Sequence, residues 1–428
     1  MNITPLTPPL RPLSPSFQIG ARVVDVLPRP RRTHAQNGNA LGTITKLQVV
    51  PENKGLEENI PSDALKLVEL FALQELSCDS LTKKEERTNA KGIKYDTYVH
   101  RVNYCLRQRV DALKLVSVRY NQKREKAHYD NVQRCGSVWT CPFCARKISE
   151  GRRQDLKTAV DNWQRRGGYV YLVTVTNRHH KGDNLPDLLK GQSKAKQKLW
   201  EKTKVKDMMK SLGYSGRITA TEVTYGNNGW HPHYHILMFF DHQINTQGLQ
   251  TFLALEWQIA CVKAGMKAPS LENGVDVQKG KRLTDYVAKW GLEDEMTKGH
   301  TKKGKEGGLT PFDLLRQSVD NPHYSHLFRQ FADAFKGKQQ LHWTRGLKKL
   351  LAVSDRTDEQ LAEETEKESI EIKEIANPIW RLVLQYKIRG EYLNACKADH
   401  VEGGINKKVE NLVMEYALKE HERLKRKQ

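Results

Sequence analysis

The chain has 428 residues and carries 71 lysines and arginines against 50 aspartates and glutamates, a formal charge of +21. Its length allows roughly two or three domains, and its charge favours a polyanionic partner, nucleic acid before an anionic membrane surface. No apolar run of about 18 residues occurs, and no hydrophobic segment stands at the beginning. We therefore expect a cytoplasmic protein without a membrane span or secretory signal.

The N-terminal third divides by composition. Residues 1–60 are rich in proline and basic residues at their beginning and predict a disordered basic arm. The stretch "PSDALKLVELFALQEL" at 61–76 predicts a buried helix, because its apolar residues recur at helical spacing. The basic stretch that continues to about residue 116 is expected to be mostly helical. A helical region with a cysteine cluster is therefore predicted over 61–150.

The cysteine cluster lies in "HYDNVQRCGSVWTCPFCARKI" and contains Cys135, Cys141 and Cys144. A CxxC pair with basic residues after it suits tetrahedral zinc. The third spacing is irregular, and the fourth ligand is either His128 or Cys105. The alternative is a set of buried free thiols. We expect a structural Zn²⁺, which the absence of an export signal favours over disulfides.

Two stretches predict adjoining strands. The run "GGYVYLVTVTNRHH" at 167–180 is rich in β-branched and aromatic residues and indicates a buried strand. After a basic amphipathic helix at 187–212, the stretch 216–240 holds two strand patterns around "GNNG", which is typical of a hairpin.

The second hairpin strand presents three histidines on one face, since residues two apart share a side: His231, His233 and His235. Across an unbulged turn, Thr224 faces His231 and Glu222 faces His233. Imidazoles with an opposing carboxylate suit a divalent ion with open positions, Mn²⁺ or Zn²⁺ by ligand type, with Mg²⁺ as a further option. The alternative is a hydrogen-bonded histidine cluster, and His231 could instead serve the fold or the substrate.

The remaining chain reads mainly as helix. Helices are predicted at 246–264 and 282–295, with a short strand at 274–278 between them. Residues 310–353 also read as helical. The acid-rich stretch beyond residue 356 predicts a solvated helix or linker followed by a helical basic tail.

Three ordered motifs resemble those of a known family. "HPHYH" resembles the HUH motif (His, hydrophobe, His) of rolling-circle plasmid replication initiators, the Rep proteins. "YLVTVTNRH" is similar to their first motif. "YVAKW", with Tyr286 and Lys289, is similar to their third. The flanks "GLTPFDLL" and "FKGKQQLHWTRGLKKLL" also resemble these proteins, and the resemblance covers roughly residues 100–355.

The resemblance implies an α+β fold with an antiparallel β-sheet HUH nuclease core flanked by helices. We place this core at 165–300, with the zinc-knuckle-like segment before it. A helical extension of the Rep domain follows at 301–355, and an acidic linker with a helical basic tail at 356–428.

The resemblance also implies a nicking and joining reaction. A metal-bound phosphodiester would be attacked by Tyr286, giving a 5′-phosphotyrosyl bond and a free 3′-OH that primes synthesis. Lys289 lies three residues further along the predicted helix, on nearly the same face, and would stabilise the phenolate or the phosphorane charge. The implied partners are single-stranded or supercoiled plasmid origin DNA and, since no P-loop motif occurs in the chain, a host helicase and polymerase acting in trans.

One position departs from the family pattern. Many relatives carry a glutamate four residues before the tyrosine, as the base for a water that ends the cycle, and this chain has Arg282 there. Asp285, Glu293 and Glu295 are the candidates for a substitute base.

Three alternatives remain open from the sequence. The same chemistry is used by conjugative relaxases and single-strand transposases. A zinc-containing DNA-binding regulator would need no catalytic tyrosine. A zinc hydrolase would use the three histidines, with "YVAK" a coincidence.

Overall fold

The computed structural model describes residues 62–82, 85–88, 92, 94–97, 100–279, 308–363, 368–403 and 407–426. Within these ranges no helix combines the length and the apolar character that crossing a bilayer requires. The disordered arm predicted for residues 1–60 and the helix predicted for 282–295 lie outside the described residues.

In chain order, the described helices are α1 (Ser62–Leu81), α2 (Pro142–Arg165), α3 (Leu185–Glu201), α4 (Thr203–Ser211), α5 (Thr246–Lys263), α6 (Pro311–Gln317), α7 (Pro322–Ala334), α8 (Leu347–Leu350), α9 (Asp358–Glu363), α10 (Asn377–Gln385), α11 (Arg389–Val401) and α12 (Lys407–Lys425). The strands are β1 (Glu85–Thr88), β2 (Lys94–Thr97), β3 (Val116–Asn121), β4 (Lys126–Asp130), β5 (Tyr169–Thr176), β6 (Tyr214–Gly226), β7 (Gly229–Phe240), β8 (Val275–Lys279), β9 (Leu341–Trp343) and β10 (Ser369–Ile375). Strands β1 and β2 pair with each other and, except for Glu85 and Thr97, belong to a separate small unit.

A five-stranded antiparallel sheet is the centre of the larger unit. Its strand order is β8-β5-β7-β6-β9, so β7 is interior and pairs along its length with β5 and β6. The predicted α+β class with an antiparallel core is confirmed. The strands predicted at 167–180 and 274–278 and the helix predicted at 246–264 correspond to β5, β8 and α5.

The β6–β7 hairpin has the predicted register. Gly226 pairs with Gly229 around a two-residue turn, and the pairs Thr224–His231 and Glu222–His233 follow without a bulge. Gly229 has φ +80, and a Cβ there would lie 2.9 Å from the backbone of Lys181. Only glycine fits this close approach without strain.

Helices cover both faces of this sheet. Helices α3, α4 and α5 pack on the face that carries Tyr171, Tyr234 and Met238. Helices α2 and α8 pack on the opposite face, against Leu237 and Phe239. His231, His233 and His235 have the same parity as Leu237 along β7 and therefore lie on the α2 side.

The single helix predicted for 187–212 is two helices. Lys202 has extended φ and ψ of −66° and 126° and separates α3 from α4. This break allows Lys202 and Lys204 to pair with the buried carboxylate of Glu256 on α5.

A second core surrounds the sheet β10-β3-β4. Helices α1, α6, α7, α9, α10, α11 and part of α12 contribute to it. The helix predicted at 61–76 corresponds to α1, and the helical tail corresponds to α10, α11 and α12.

The prediction of a mostly helical stretch up to residue 116 is wrong. Among its described residues only a 3-10 turn, Arg101–Asn103, is helical. Leu106 has φ +55, which an α-helix does not accommodate. Tertiary contacts determine the path here, since Arg107 pairs with Glu75 of α1 and Cys105 joins the other cysteines.

Two further helical or linker predictions are wrong in part. Strand β9 interrupts the helical stretch predicted for 310–353 and extends the central sheet beside β6. Strand β10 lies in the predicted acidic linker and pairs antiparallel with β3. The burial pattern of β10 has no regular two-residue period, since Ser369 and Ile375 are buried and Ile370 is exposed, so the sequence of this segment gave no clear strand signal.

Candidate metal centre and surrounding site

Strands β6 and β7 bring a carboxylate against two imidazoles. Glu222 Oε2 lies 2.9 Å from Nε2 of His235 and 3.4 Å from Nε2 of His233. One ligand atom from each of the three residues lies within 4.8 Å of the others. The cross-strand register produces this cluster, because Glu222 is directly opposite His233.

Hydrogen bonds on the far side of each ring fix its orientation. His233 Nδ1 lies 3.4 Å from the carbonyl oxygen of His231, which can only accept, so Nδ1 carries the proton. His235 Nδ1 contacts Thr174 Oγ1 at 3.2 Å. Partners on the outer nitrogen are typical of histidines that ligate a metal, since they orient the inner nitrogen.

The electrostatics of the cluster favour an ionised carboxylate. Desolvation raises the pKa of Glu222, but hydrogen bonds and charge from His233 and His235 outweigh it and hold that pKa well below its usual range. Burial lowers the pKa of His235. For His233 burial is outweighed by Glu222, which raises its pKa.

The donor set fits a divalent cation. Two imidazole nitrogens and one carboxylate oxygen, each about 2.0–2.2 Å from a shared ion, have spacings near the 2.9 and 3.4 Å found here. The side chain of Glu222 is 40% exposed, so one side of the cluster stays accessible. Glu222, His233 and His235 could therefore hold an ion with open positions for a substrate.

His231 is outside this group. Its ring stacks on His179 with centroids 4.6 Å apart and an interplanar angle of 17°. Burial, followed by the neighbouring His233 and His179, lowers the pKa of His231 to about 4, so His231 is uncharged at neutral pH. His179 lies in "NRHH" directly after β5, and no spacing pattern in the sequence connects it with the histidines of the hairpin.

A second cluster consists of four buried cysteines: Cys105, Cys135, Cys141 and Cys144. The Sγ atoms of Cys105 and Cys144, of Cys105 and Cys141, and of Cys135 and Cys144 are 3.6, 3.5 and 3.6 Å apart. Sulfurs around one tetrahedral zinc lie about 3.8 Å apart, since each Zn–S bond is about 2.3 Å. This cluster therefore fits a tetrahedral thiolate-bound metal.

Of the two candidates for the fourth ligand, Cys105 belongs to the cluster and His128 does not. His128 lies on β4, paired with Arg119 of β3. Cys105 reaches the cluster because Leu106 donates a backbone hydrogen bond of 2.8 Å to Gln133, which joins the two loops. The cysteines outside both clusters are buried.

Comparison with known proteins decides the family. A family model described as "Replication protein" matches residues 126–393, well over half of the chain. The chain belongs to the replication protein family. The resemblance to plasmid replication initiators found in its motifs is thereby confirmed.

Individual relatives align with smaller fractions of this chain than the family model does. "Protein rep" of Streptomyces lividans is 30% identical over 52% of this chain and 64% of its own length. "Neomycin resistance protein" of Streptomyces cyanogenus is 34% identical over 24% of this chain and 30% of its own length. "Protein rep" of Lentilactobacillus hilgardii is 31% identical over 23% of this chain and 31% of its own length. The chain thus spans less than two thirds of each relative. No solved structure matches it.

The remaining predicted site residues lie outside the described part of this family member. They are the nucleophile Tyr286, its neighbour Lys289 and the termination candidates Asp285, Glu293 and Glu295. The description resumes at Gly308, and Leu309 exchanges backbone hydrogen bonds of 2.8 and 2.7 Å with Tyr225. Tyr225, the partner of Leu309, lies three residues along β6 from Glu222.

Proposed function

We propose that the chain initiates rolling-circle plasmid replication by nicking origin DNA and later rejoining it. The observation that carries this proposal is the cluster of Glu222, His233 and His235 on adjacent strands of a replication protein. Two imidazoles and a carboxylate with an open side suit the binding of a phosphodiester next to a divalent ion. Mn²⁺ or Mg²⁺ is the proposed ion.

In this proposal the three ligands hold the ion, and Tyr286 is the nucleophile. The ion, when bound, draws charge from the scissile phosphate. The phenol oxygen of Tyr286 forms a bond to phosphorus as its proton leaves, and the bond from phosphorus to O3′ breaks. The O3′ atom takes up a proton and becomes the free 3′-OH that primes synthesis, while the 5′-phosphate stays on the tyrosine.

Lys289 is proposed to assist this step. A phenol has a pKa of about 10, so it is largely protonated at neutral pH and needs help to attack. An ammonium three residues away on a helix would favour the phenolate and the extra charge on phosphorus. Asp285, Glu293 and Glu295 remain the candidates for the base that ends the cycle.

We also propose that the four cysteines bind zinc with a structural role. Cys141 caps α2 and Cys144 lies in its first turn, while Cys105 and Cys135 come from preceding loops. Zinc here would fix the start of α2 against α1.

The proposed partners follow from the reaction and the charge. Origin DNA, single-stranded or supercoiled, is the substrate, and a host helicase and polymerase act in trans. Exposed lysines on α3 and α4, such as Lys194, Lys198 and Lys206, would contact phosphates and make binding dependent on salt.

The test is incubation of the full chain with supercoiled plasmid and Mn²⁺. We expect a nicked plasmid and a covalent protein–DNA adduct that peptide mass spectrometry assigns to Tyr286. The adduct should disappear with chelator and in Tyr286→Phe, while Tyr416→Phe, on α12, behaves as the parent chain. An adduct that survives in Tyr286→Phe would refute the assignment.

The same experiment separates the rivals. A non-catalytic regulator gives no nick with any variant. A zinc hydrolase gives cleavage without an adduct. A relaxase or transposase gives the adduct, but at a transfer origin or an element end rather than at the replication origin.

A further inference from the structure

A cavity adjoins the metal ligands on the α2 side of the central sheet. Its volume is about 120 Å³, and Glu222 and His235 form part of its wall. Across from them, Trp139, Phe312 and Phe331 supply aromatic surface from the second core. A molecule bound at the metal ligands can therefore extend directly into this cavity.

The cavity wall also contains an amide whose oxygen lacks a partner. Gln340 Nε2 lies 3.0 Å from Ser149 Oγ, and both residues line the cavity. Gln340 Oε1 is buried and has no hydrogen-bond partner among the residues that the structure describes. Such an atom is costly inside a protein, which points to a donor that comes from outside the chain.

The amide can serve more than one kind of partner. The Ser149 hydroxyl both donates and accepts, so Gln340 can present either its oxygen or its NH₂ group. It can therefore pair with a donor or an acceptor on the edge of a planar ring.

Size and chemistry together indicate an aromatic ring with polar edges. An enclosed apolar protein cavity of about 150 Å³ accepts benzene. The present cavity is somewhat smaller, about 120 Å³, but Glu222 and His235 line it, so a single six-membered ring can enter it while the rest of the molecule stays at these residues. Aromatic walls together with an amide on the ring edge are the usual means by which proteins hold an unstacked nucleobase.

We propose that this cavity receives the base of a nucleotide next to the scissile phosphate and that Gln340 forms a hydrogen bond with the edge of that base. The inference rests on the proposed function, because the phosphate at Glu222 and His235 positions the nucleotide. The base leaves the DNA stack and packs against Trp139 and Phe331.

The test is an abasic scan of an oligonucleotide that spans the mapped nick. Each nucleotide is replaced in turn by an abasic one, and binding is measured with full-length Tyr286→Phe in Mn²⁺, so that no cleavage depletes the substrate. We expect one position beside the nick to lose roughly ten-fold or more in affinity, as stacked bases do.

Variants connect that position to the cavity. Gln340→Leu removes the amide, and Val138→Phe fills the cavity. Each variant should reduce the loss of affinity that the abasic nucleotide beside the nick causes, and should leave the other nucleotide positions unchanged. Gln339→Leu changes the exposed neighbour in the same way and should leave the scan unchanged. Circular dichroism and melting show that the variants are folded, and Gln340→Leu suffices should Val138→Phe fail to fold.

The outcomes separate the inference from the proposed function. If the parent chain nicks DNA but no abasic nucleotide lowers the affinity, the base site is refuted and the nicking function is not. A peak that persists unchanged in Gln340→Leu also overturns the inference. Absence of any nick or adduct in the parent chain refutes the proposed function, and the base site with it.

Discussion

Glu222 and His235 lie on neighbouring strands with Oε2 and Nε2 2.9 Å apart, while the outer nitrogen of the same ring contacts Thr174. One imidazole thus connects a carboxylate on β6 to a hydroxyl on β5 through the interior strand β7. Changes on either of the two strands that flank β7 should therefore alter how the cluster binds an ion.

Replacing the carboxylate should weaken ion binding most. Glu222→Gln keeps the shape and removes the negative charge of a ligand, so we expect Mn²⁺ affinity to fall by more than about 100-fold. Isothermal titration calorimetry with Mn²⁺ measures this. Glu201→Gln, at the end of α3, is the control and should bind as the parent chain does. Equal affinities in all three proteins would contradict the assigned ligand set.

Removing the hydroxyl behind His235 should have a smaller effect. Thr174→Val deletes the partner of Nδ1, and we expect Mn²⁺ affinity to fall roughly 10–100-fold, as is usual for such supporting contacts. Thr176→Val is the matched control on the same strand, because its hydroxyl donates to Asn273 instead. Equal Mn²⁺ affinities of Thr174→Val and Thr176→Val would contradict the supporting role of the Thr174 hydroxyl.

The cysteine cluster makes a prediction about zinc content. Cys105→Ser should lose the bound zinc and melt at a lower temperature, whereas His128→Ala should keep it, because His128 lies outside the cluster. Cys261→Ser, a buried cysteine on α5, is the control. Atomic emission of the purified proteins gives the metal content. Zinc retained by Cys105→Ser but lost by His128→Ala would reverse the ligand assignment.

A buried ion pair predicts sensitivity to acid. Burial raises the pKa of Glu75, but the charges of Arg107, Arg389 and Lys387 outweigh it and hold that pKa at about 2. Since this lies below the ordinary value of 4.5, the pair stabilises the fold above pH 4.5 and loses its effect as the pH falls towards 2. The shift corresponds to roughly 3 kcal/mol of unfolding free energy.

Urea unfolding between pH 7 and pH 3 tests this contribution. Glu75→Gln should be less stable than the parent chain at pH 7, because Arg389 stays buried without its counter-charge, and its stability should depend less on pH. Glu371→Gln, exposed on β10, should retain the parent pH dependence. Parallel pH curves for Glu75→Gln and the parent would rule out this origin of acid sensitivity.

Local pattern was sufficient to predict the ligand hairpin. The two-residue period of β7 and the turn signal fix which side chains face each other, so the pair Glu222–His233 follows from the sequence alone. The separation of His231 from the other two histidines did not follow, because its stacking on His179 depends on the path of the chain after β5.

Contacts between distant segments could not be predicted in this way. Cys105 lies in irregular structure, and its approach to Cys141 and Cys144 depends on backbone pairing between two loops. Composition gave no sign that β10 pairs with β3, and a continuous helical pattern concealed the break at Lys202. In each case a tertiary contact outweighs the local preference.

The pairing of β10 with β3 has a consequence for synthesis on the ribosome. Asn121 of β3 pairs with Ser369 of β10, which is synthesised much later. The three-stranded sheet can therefore be completed only after most of the polypeptide has left the ribosome. The β6–β7 hairpin needs only neighbouring segments and can form much earlier. The three candidate ion ligands, Glu222, His233 and His235, would then be brought together in the nascent chain before the second core closes.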